Sequence, residues 1–228
     1  TSGGLDQRIL HTDIRSLRHI FHGGVRDYGR CYYGEIMALD WNNNSKKLAV
    51  GTNENTCLVY DSRYPIKPIV EMIEHTAAVK TVKWCPYNDS LLATGSGTND
   101  RHLRIYDVDE VKLLCSRNTN NQISGVYWSP YSNELITTHG FSSFGISFWQ
   151  ASNLSTLGEI TGHMNRIIST AMNPQQTTLV TASCDETVRI WDIWRAERAY
   201  VKKTVFNPLY SDVVEHTVDY TTEQQQFQ

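Results

Sequence analysis

The sequence predicts an all-β fold that is assembled from a repeated unit of about 44 residues. Aromatic or methionine anchors recur at Trp41, Trp84, Trp128 and Met172, each 43 or 44 residues after the one before. After each anchor the chain passes through a Pro- or Asn-containing turn into two short runs that are rich in β-branched and aromatic residues, which are strand signals. No long segment shows helical periodicity, so helix should be scarce.

The strands of each unit can be placed in order along the chain. The second strands follow the turns, at 47–51, 91–95, 134–138 and 178–182. The third strands end in an aromatic residue and its polar neighbour, at 57–61, 103–107, 146–150 and 188–192. A strand-rich repeat of this length and pattern is typical of the WD40 β-propeller blade.

These strands predict a partial β-propeller of about four and a half blades. We expect the end of an incomplete blade at 1–20 and a loop at 21–34, and then blades at 35–73, 74–116, 117–160 and 161–194. Residues 195–228 lose apolar periodicity and end in Glu-Gln-Gln-Gln-Phe-Gln, which predicts a poorly ordered C-terminal tail. We also expect the chain to be a C-terminal piece of a larger propeller.

Composition argues against several functional classes. The formal net charge is −3, from 21 basic and 24 acidic residues, so the chain lacks the basic footprint of a nucleic-acid-binding protein. No apolar run approaches the roughly 18 residues that predict a membrane-spanning helix. The five cysteines and eight histidines lack metal-ligand spacing, and there is no phosphate-binding loop. We therefore expect free thiols, no metal site and no cofactor.

Several His and Asp residues have a structural interpretation. In a blade, a His of the preceding loop, an Asp of the turn, a Ser or Thr and a Trp can form a buried hydrogen-bond network, provided that every member is satisfied. In the last blade these positions are His163, Asp185, Ser183 and Trp191. A partial version is expected at His75, Asp100 and Tyr106. We predict that these residues stabilise the blades, and we predict no catalytic residues.

Some segments are more specific than generic blade sequence. They are Glu-His-Thr-Ala-Ala-Val-Lys at 74–80, Gly-Thr-Asn-Asp-Arg at 97–101, Thr-His-Gly-Phe at 138–141, Gly-His-Met-Asn-Arg at 162–166 and Asp-Glu-Thr-Val-Arg at 185–189. Together they resemble the Fizzy and Fizzy-related family, whose members are activator and substrate-receptor subunits of the anaphase-promoting complex, a ubiquitin ligase. The wording is closer to the Fizzy-related branch, which in fungi includes meiosis-specific activators.

The resemblance implies a non-catalytic, seven-bladed propeller that binds short degrons, and it assigns residues to two sites. The family's KEN-degron-binding positions match Asn53, Asn55, Thr98, Gln122 and Arg166, and its acid that meets the Arg of a D-box matches Glu186. Amide side chains both donate and accept hydrogen bonds, and a guanidinium pairs with the Glu of the degron. From the residues alone, Asn53 and Asn55 also suit ordinary turns.

The implied partners are core subunits of the anaphase-promoting complex and degron-bearing substrates such as cyclins, in the nucleus and cytoplasm. Neither nucleic acid nor membrane is expected as a partner. Two alternatives remain open from the sequence. One is a WD40 scaffold for another multiprotein assembly. The other is an enzyme built on a propeller, which would need convergent acid and base groups in the central channel.

Overall fold

The computed structural model describes residues 1–13, 18–21, 34–64, 67–141, 143–194, 201–206 and 214–218 of the 228-residue chain. Within these ranges all the regular elements are β-strands, which form five antiparallel sheets. The same ranges contain no helix that is long and apolar enough to cross a membrane. The prediction of an all-β fold with little helix is therefore confirmed.

Twenty strands make up the five sheets. The first sheet contains β1 (Ser2–Gly3), β2 (Ile9–Asp13) and β3 (Arg18–Phe21). Blade 1 contains β4 (Ile36–Trp41), β5 (Lys47–Thr52), β6 (Cys57–Asp61) and β7 (Val70–Met72). Blade 2 contains β8 (Val79–Cys85), β9 (Asn88–Ser96), β10 (His102–Asp107) and β11 (Lys112–Asn118). Blade 3 contains β12 (Ile123–Trp128), β13 (Glu134–His139), β14 (Ile146–Gln150) and β15 (Ser155–Ile160). Blade 4 contains β16 (Ile167–Met172), β17 (Thr178–Ser183), β18 (Val188–Asp192), β19 (Val201–Phe206) and β20 (Val214–Val218).

The blades stand side by side, as in a propeller. Within each blade the strands pair in chain order. The first strand of blade 2, β8, contacts the first strands of blades 1 and 3, and β12 contacts β16. Apolar side chains fill the space between neighbouring sheets: Ile136 and Ile146 of blade 3 pack with Leu179 and Trp191 of blade 4. Burial between sheets, rather than within one sheet, therefore stabilises the array.

One face of blade 4 differs from the matching face of blade 3. By strand register, Val180 and Ile190 correspond to Ile136 and Phe148 of blade 3. Ile136 is fully buried beneath blade 4, whereas its counterpart Val180 is only partly buried. Phe148 is partly buried, whereas its counterpart Ile190 keeps 37% of its surface exposed. Blade 4 packs against this side of blade 3, but no described residue packs in the same way against the matching side of blade 4.

The fourth blade continues past residue 194, where the sequence predicted a poorly ordered tail. β19 pairs antiparallel with β18, and β20 pairs with β19. For these two segments the predicted irregular tail is replaced by strand, because the free edge of β18 offers unpaired N–H and C=O groups that a further strand satisfies. The rest of the tail, and residues 22–33 of the predicted loop, lie outside the described residues.

Candidate peptide-binding rim

Two sets of connections meet at one end of the blades: the turn between the second and third strands, and the loop before the first strand. In each blade a turn N–H donates to a loop carbonyl: Asn53 to Glu35 at 3.0 Å, Gly97 to Ala78 at 2.9 Å, Gly140 to Gln122 at 3.0 Å and Cys184 to Arg166 at 3.0 Å. We call this surface the rim, comprising residues 34–35 and 53–56 of blade 1, 74–78 and 97–101 of blade 2, 119–122 and 140–141 of blade 3, and 162–166 and 184–187 of blade 4. All six residues of the two predicted degron sites lie on it.

Asn53 has a structural role at the rim. Its Oδ1 accepts a hydrogen bond from the Glu35 N–H at 2.7 Å, while its own N–H donates to the Glu35 carbonyl. Gly34 makes this contact possible, because its φ is +75° and a Cβ there would lie 2.1 Å from Asn53 Oδ1. The side-chain oxygen of Asn53 is therefore already used to hold the loop at residues 34–35. Among the described residues, the Asn53 amide N–H₂ remains open for a ligand.

Asn55 and Glu186 occupy equivalent turn positions in blades 1 and 4. Both have left-handed backbone conformations, with φ values of 65° and 64°. Arg101 holds the matching place in blade 2, with a φ of 57°. Asn is enriched in this region of φ/ψ space, so turn geometry alone is enough to explain Asn55. Glu186 is exposed and forms no ion pair with another described residue, which leaves its carboxylate accessible.

Thr98 and Gln122 come together across the boundary between blades 2 and 3. Thr98 Oγ1 lies 3.5 Å from Gln122 Oε1. Arg101 braces the same place, because its Nε donates to the Thr98 carbonyl at 2.7 Å and its Nη1 donates to the Asn120 carbonyl at 3.3 Å. The Arg101 guanidinium therefore holds the two backbone segments together. The amide of Gln122 can still form hydrogen bonds with a ligand.

Arg166 is the exposed cation at the blade 4 end of the rim. Its position in blade 4 is equivalent to that of Gln122 in blade 3, since each carbonyl accepts the N–H of the adjoining turn. Its Nε lies 3.2 Å from Cys184 Sγ, and this contact raises the pKa of the guanidinium. Phe141 and Met164 are apolar neighbours on the same stretch, with 54% and 85% of their surfaces exposed. This stretch therefore combines an exposed cation with exposed apolar surface.

The buried network of blade 4 differs from the prediction in one member. His163 Nδ1 lies 2.9 Å from Asp185 Oδ2, and His163 Nε2 lies 2.7 Å from Thr181 Oγ1. Trp191 Nε1 donates to Thr181 Oγ1 at 2.8 Å. The hydroxyl that links His163 to Trp191 is thus that of Thr181, whereas Ser183 joins the network only through its hydroxyl, which accepts the Asp185 N–H at 3.2 Å. Ser183 lies at the end of β17, where its hydroxyl donates to the Asn165 carbonyl.

Blade 2 contains a related network with a different fourth member. His75 contacts Asp100 at 2.5 Å and Thr94 at 2.7 Å. Arg104 Nη1 also donates to Asp100, at 2.6 Å. Burial alone would raise the pKa of Asp100, but the hydrogen bonds from His75 and Arg104 lower it below the ordinary value. Tyr106, the predicted partner, lies outside the network, because its hydroxyl donates to Glu74 Oε2 at 3.1 Å instead.

Blade 3 has a similar buried network, in which the histidine is His139, a residue that the sequence did not predict for this role. His139 Nε2 lies 2.9 Å from Thr137 Oγ1 and 3.0 Å from Ser147 Oγ, and Trp149 Nε1 donates to Thr137 Oγ1 at 2.8 Å. His139 is fully buried, and burial lowers its pKa to about 4. Its imidazole is therefore neutral at physiological pH.

These networks are closed to substrates. The side chains of His75 and His163 have no exposed surface, and each Asp is bonded to its blade. General acid–base chemistry needs a group within hydrogen-bond reach of the reacting atom, which these buried pairs do not offer. In the described ranges, no group of three or more His, Cys, Asp or Glu residues is arranged to hold a metal ion.

The first strand of every blade carries a β-bulge at the same place, which the sequence did not reveal. The bulged residues are Met37, Lys80, Ser124 and Ile168. Each follows the rim loop by two residues, so the four adjoin the inner edge of the rim. They are 43 or 44 residues apart, but because their side chains differ in type, the sequence does not mark them as equivalent. β-Bulges re-aim side chains and are common beside functional sites.

Comparisons with known proteins agree with a propeller built from similar blades. A family model described as eukaryotic translation initiation factor eIF2A matches residues 30–137 and, in a second overlapping window, residues 66–212. Similar repeats can be matched in more than one register, which explains the overlap. A chain of the solved structure titled "Crystal Structure of Mitotic Checkpoint Complex" is 31% identical, with a TM-score of 0.77 over 85% of this chain and 60% of that one.

Curated relatives indicate which group of propeller proteins the chain resembles. The chain is 33% identical over 208 residues to WD repeat-containing protein srw1 of Schizosaccharomyces pombe, covering 91% of this chain and 36% of the relative. It is 37% identical over 194 residues to meiotic fizzy-related protein 1 of the same yeast, covering 85% and 45%. It is 34% identical over 202 residues to APC/C activator protein CDH1 of Saccharomyces cerevisiae, covering 89% and 35%.

This chain belongs to the Fizzy and Fizzy-related family of WD40-repeat proteins. The resemblance that was drawn from the rim segments is thereby confirmed. The chain spans less than half the length of the curated relatives that it matches.

Proposed function

We propose that this chain is the degron-binding propeller of an activator subunit of the anaphase-promoting complex. In this role it recruits cell-cycle proteins for ubiquitination and performs no chemistry itself. The observation that carries the proposal is the rim, where four blades present equivalent turns and loops and where Thr98, Gln122 and Arg166 follow one another from blade 2 to blade 4. The ligase is inferred from one relative, CDH1 of Saccharomyces cerevisiae, which is an APC/C activator by name.

The rim chemistry suits a KEN degron bound in an extended conformation. Arg166 is exposed and positively charged, which favours pairing with the degron Glu. Gln122 and the open amide N–H₂ of Asn53 can donate to carbonyl or side-chain oxygens of the peptide, and Gln122 can also accept. The hydrogen bonds of the turns to their loops hold these groups in place, which reduces the entropy that binding costs.

Glu186 supplies one wall of a D-box site under the same proposal. Its carboxylate is exposed at a turn tip in blade 4 and forms no ion pair with a described residue, so it can accept the planar guanidinium of a degron Arg. KEN and D-box contacts on a single propeller would raise the affinity for substrates that carry both motifs, through effective concentration.

A reconstituted ubiquitination reaction tests the proposal. Purified anaphase-promoting complex would receive a KEN-bearing substrate with and without the full-length protein. We expect the protein to stimulate substrate ubiquitination, and we expect Arg166→Glu to remove most of that stimulation for a KEN substrate. A charge reversal at exposed Lys112, at the other end of blade 2, is the matched control and should leave the rate unchanged. No stimulation by the folded protein would contradict the proposal and favour a scaffold for another assembly.

A further inference from the structure

Lys80 is the bulged residue of β8, and it lies beside the turn that carries Thr98. The register between β8 and β9 shifts between Val79 and Thr81, which takes Lys80 out of the regular alternation. Its Cε lies 3.8 Å from the position that a Cβ on Gly97 would occupy. The lysine stem therefore passes close to the turn. The bulge thus brings a cation to the inner edge of the rim.

No described residue neutralises this cation. Lys80 forms no ion pair or side-chain hydrogen bond with the described part of the chain. Lys83, three residues further along the same strand, is by contrast paired with Asp40 at 2.7 Å. The acid of the adjoining turn, Asp100, is already bonded to His75 and Arg104. The ammonium group of Lys80 therefore keeps its donors for an incoming ligand.

The partial burial of Lys80 strengthens the case for a ligand. The residue is half-buried, so part of its stem is already fixed by the fold. A carboxylate that binds a lysine whose stem is partly fixed costs less side-chain entropy than one that binds a fully exposed lysine. An acidic peptide side chain supplies that carboxylate.

The place of Lys80 beside the blade 2 part of the rim separates it from the degron Glu. Arg166 belongs to blade 4, whereas Lys80 belongs to blade 2, and the first strand of blade 3 lies between their strands. An extended peptide advances about 3.3–3.6 Å per residue, so it must continue beyond the Arg166 contact to reach blade 2. A carboxylate at Lys80 is then a different residue from the Glu that meets Arg166.

We propose that Lys80 binds an Asp or Glu that flanks the KEN core, and that it thereby selects acidic-flanked degrons. This inference rests on the proposed function, because it deepens the specificity of the same rim. The substrate class is a KEN-containing segment with at least one carboxylate outside the core, on the side that crosses blade 2.

Peptide titration against the full-length protein tests the inference. A fluorescent peptide with a Lys-Glu-Asn core and neutral flanks is compared with peptides that carry one Asp at each flanking position in turn. We expect one Asp position to tighten binding by about 3- to 10-fold, and Lys80→Met to abolish only that gain. Lys80→Arg should retain it. Lys112→Met, which removes a charge at the other end of blade 2, should leave all affinities unchanged.

The outcomes separate this inference from the proposed function. If the neutral-flank peptide binds but no Asp position gains affinity, the Lys80 assignment is overturned and the rim assignment stands. The Lys80 assignment is also overturned if Lys80→Met weakens all peptides equally while its thermal unfolding matches that of the wild type. If no peptide binds the folded wild-type protein, the proposed function fails and this inference fails with it.

Discussion

The imidazole of His139 lies 2.9 Å from Thr137 Oγ1, although it comes from the end of a second strand and not from the loop before the blade. In blades 2 and 4 the matching threonines, Thr94 and Thr181, meet a histidine from that loop. Blades 2, 3 and 4 therefore share a buried His–Thr contact. The histidine comes from the preceding loop in blades 2 and 4 and from the second strand in blade 3. Blade 1 has Val50 at the matching position and fills the space with apolar side chains instead.

Thr137→Val should destabilise the protein by about 2–3 kcal/mol. The substitution keeps the shape of the side chain, but it leaves the Trp149 indole N–H without its buried partner and removes one of the two hydroxyls that His139 Nε2 contacts. Chemical unfolding of the full-length protein, followed by Trp fluorescence, measures the change. Ser132→Ala, in a surface turn of the same blade, is the control and should cost less than about 1 kcal/mol. Equal costs for the two variants would argue against a network centred on Thr137.

His139 should make stability depend on pH between about 6.5 and 4. Burial lowers its pKa from 6.5 to about 4, so in this window the unfolded chain binds a proton that the folded chain does not. Stability is then complete above pH 6.5 and falls as the pH falls, by at most roughly 3 kcal/mol from this residue. Burial also lowers the pKa of His75, which acts in the same direction.

The measurement is the free energy of unfolding at pH 7, 6 and 5 for the wild type and for His139→Gln. The variant should be less stable at pH 7 and should show a shallower decline as the pH falls. Parallel pH profiles for the two proteins would show that His139 does not carry this dependence.

Trp128→Phe should cost about 1–2 kcal/mol because it removes a hydrogen bond between blades. Trp128 Nε1 donates to the Lys83 carbonyl at 2.9 Å, and Trp84 Nε1 donates in the same way to the Asp40 carbonyl at 3.1 Å. Phe keeps most of the ring but leaves the carbonyl unpaired. Trp41→Phe is the matched control and should cost less, since its indole donates to the exposed hydroxyl of Thr1. Thermal unfolding of the variants compares them.

Gly34→Ala should weaken KEN-peptide binding by about tenfold. The residue has a φ of +75°, and an added Cβ would lie 2.1 Å from Asn53 Oδ1, so the loop must move and Asn53 must lose its place. Gly4→Ala is the matched control, because a Cβ there would meet nothing closer than 3.9 Å. Peptide titration reads out both variants. Unchanged affinity for Gly34→Ala would remove Asn53 from the site.

The sequence predicted the blades well because each depends on local signals: a turn residue, β-branched runs and an aromatic residue at a regular spacing. It also pointed to the rim segments through their resemblance to a known family. It did not predict the role of His139, because the pattern places histidine in the loop before the blade, where blade 3 has Thr119. Only strand register shows that His139 and Thr137 face the same network.

Two further features needed three-dimensional information. The bulge at Lys80 follows from hydrogen-bond register between two strands, which residue types do not specify. Strands β19 and β20 form at the free edge of β18, and their sequence alone lacks the apolar periodicity that marks the other blades. In both cases pairing with a neighbouring strand, rather than local propensity, determines the structure.

A double-mutant cycle between Arg166 and the degron Glu tests whether the rim is a degron receptor. Affinities would be measured for the full-length wild type and Arg166→Met, each with a KEN peptide and with the same peptide carrying Gln in place of Glu. Each single change should weaken binding about tenfold, and the double change should be little worse than either one. Independent, multiplicative losses, or no binding by the folded wild-type protein, would contradict the assignment of the rim as a degron receptor.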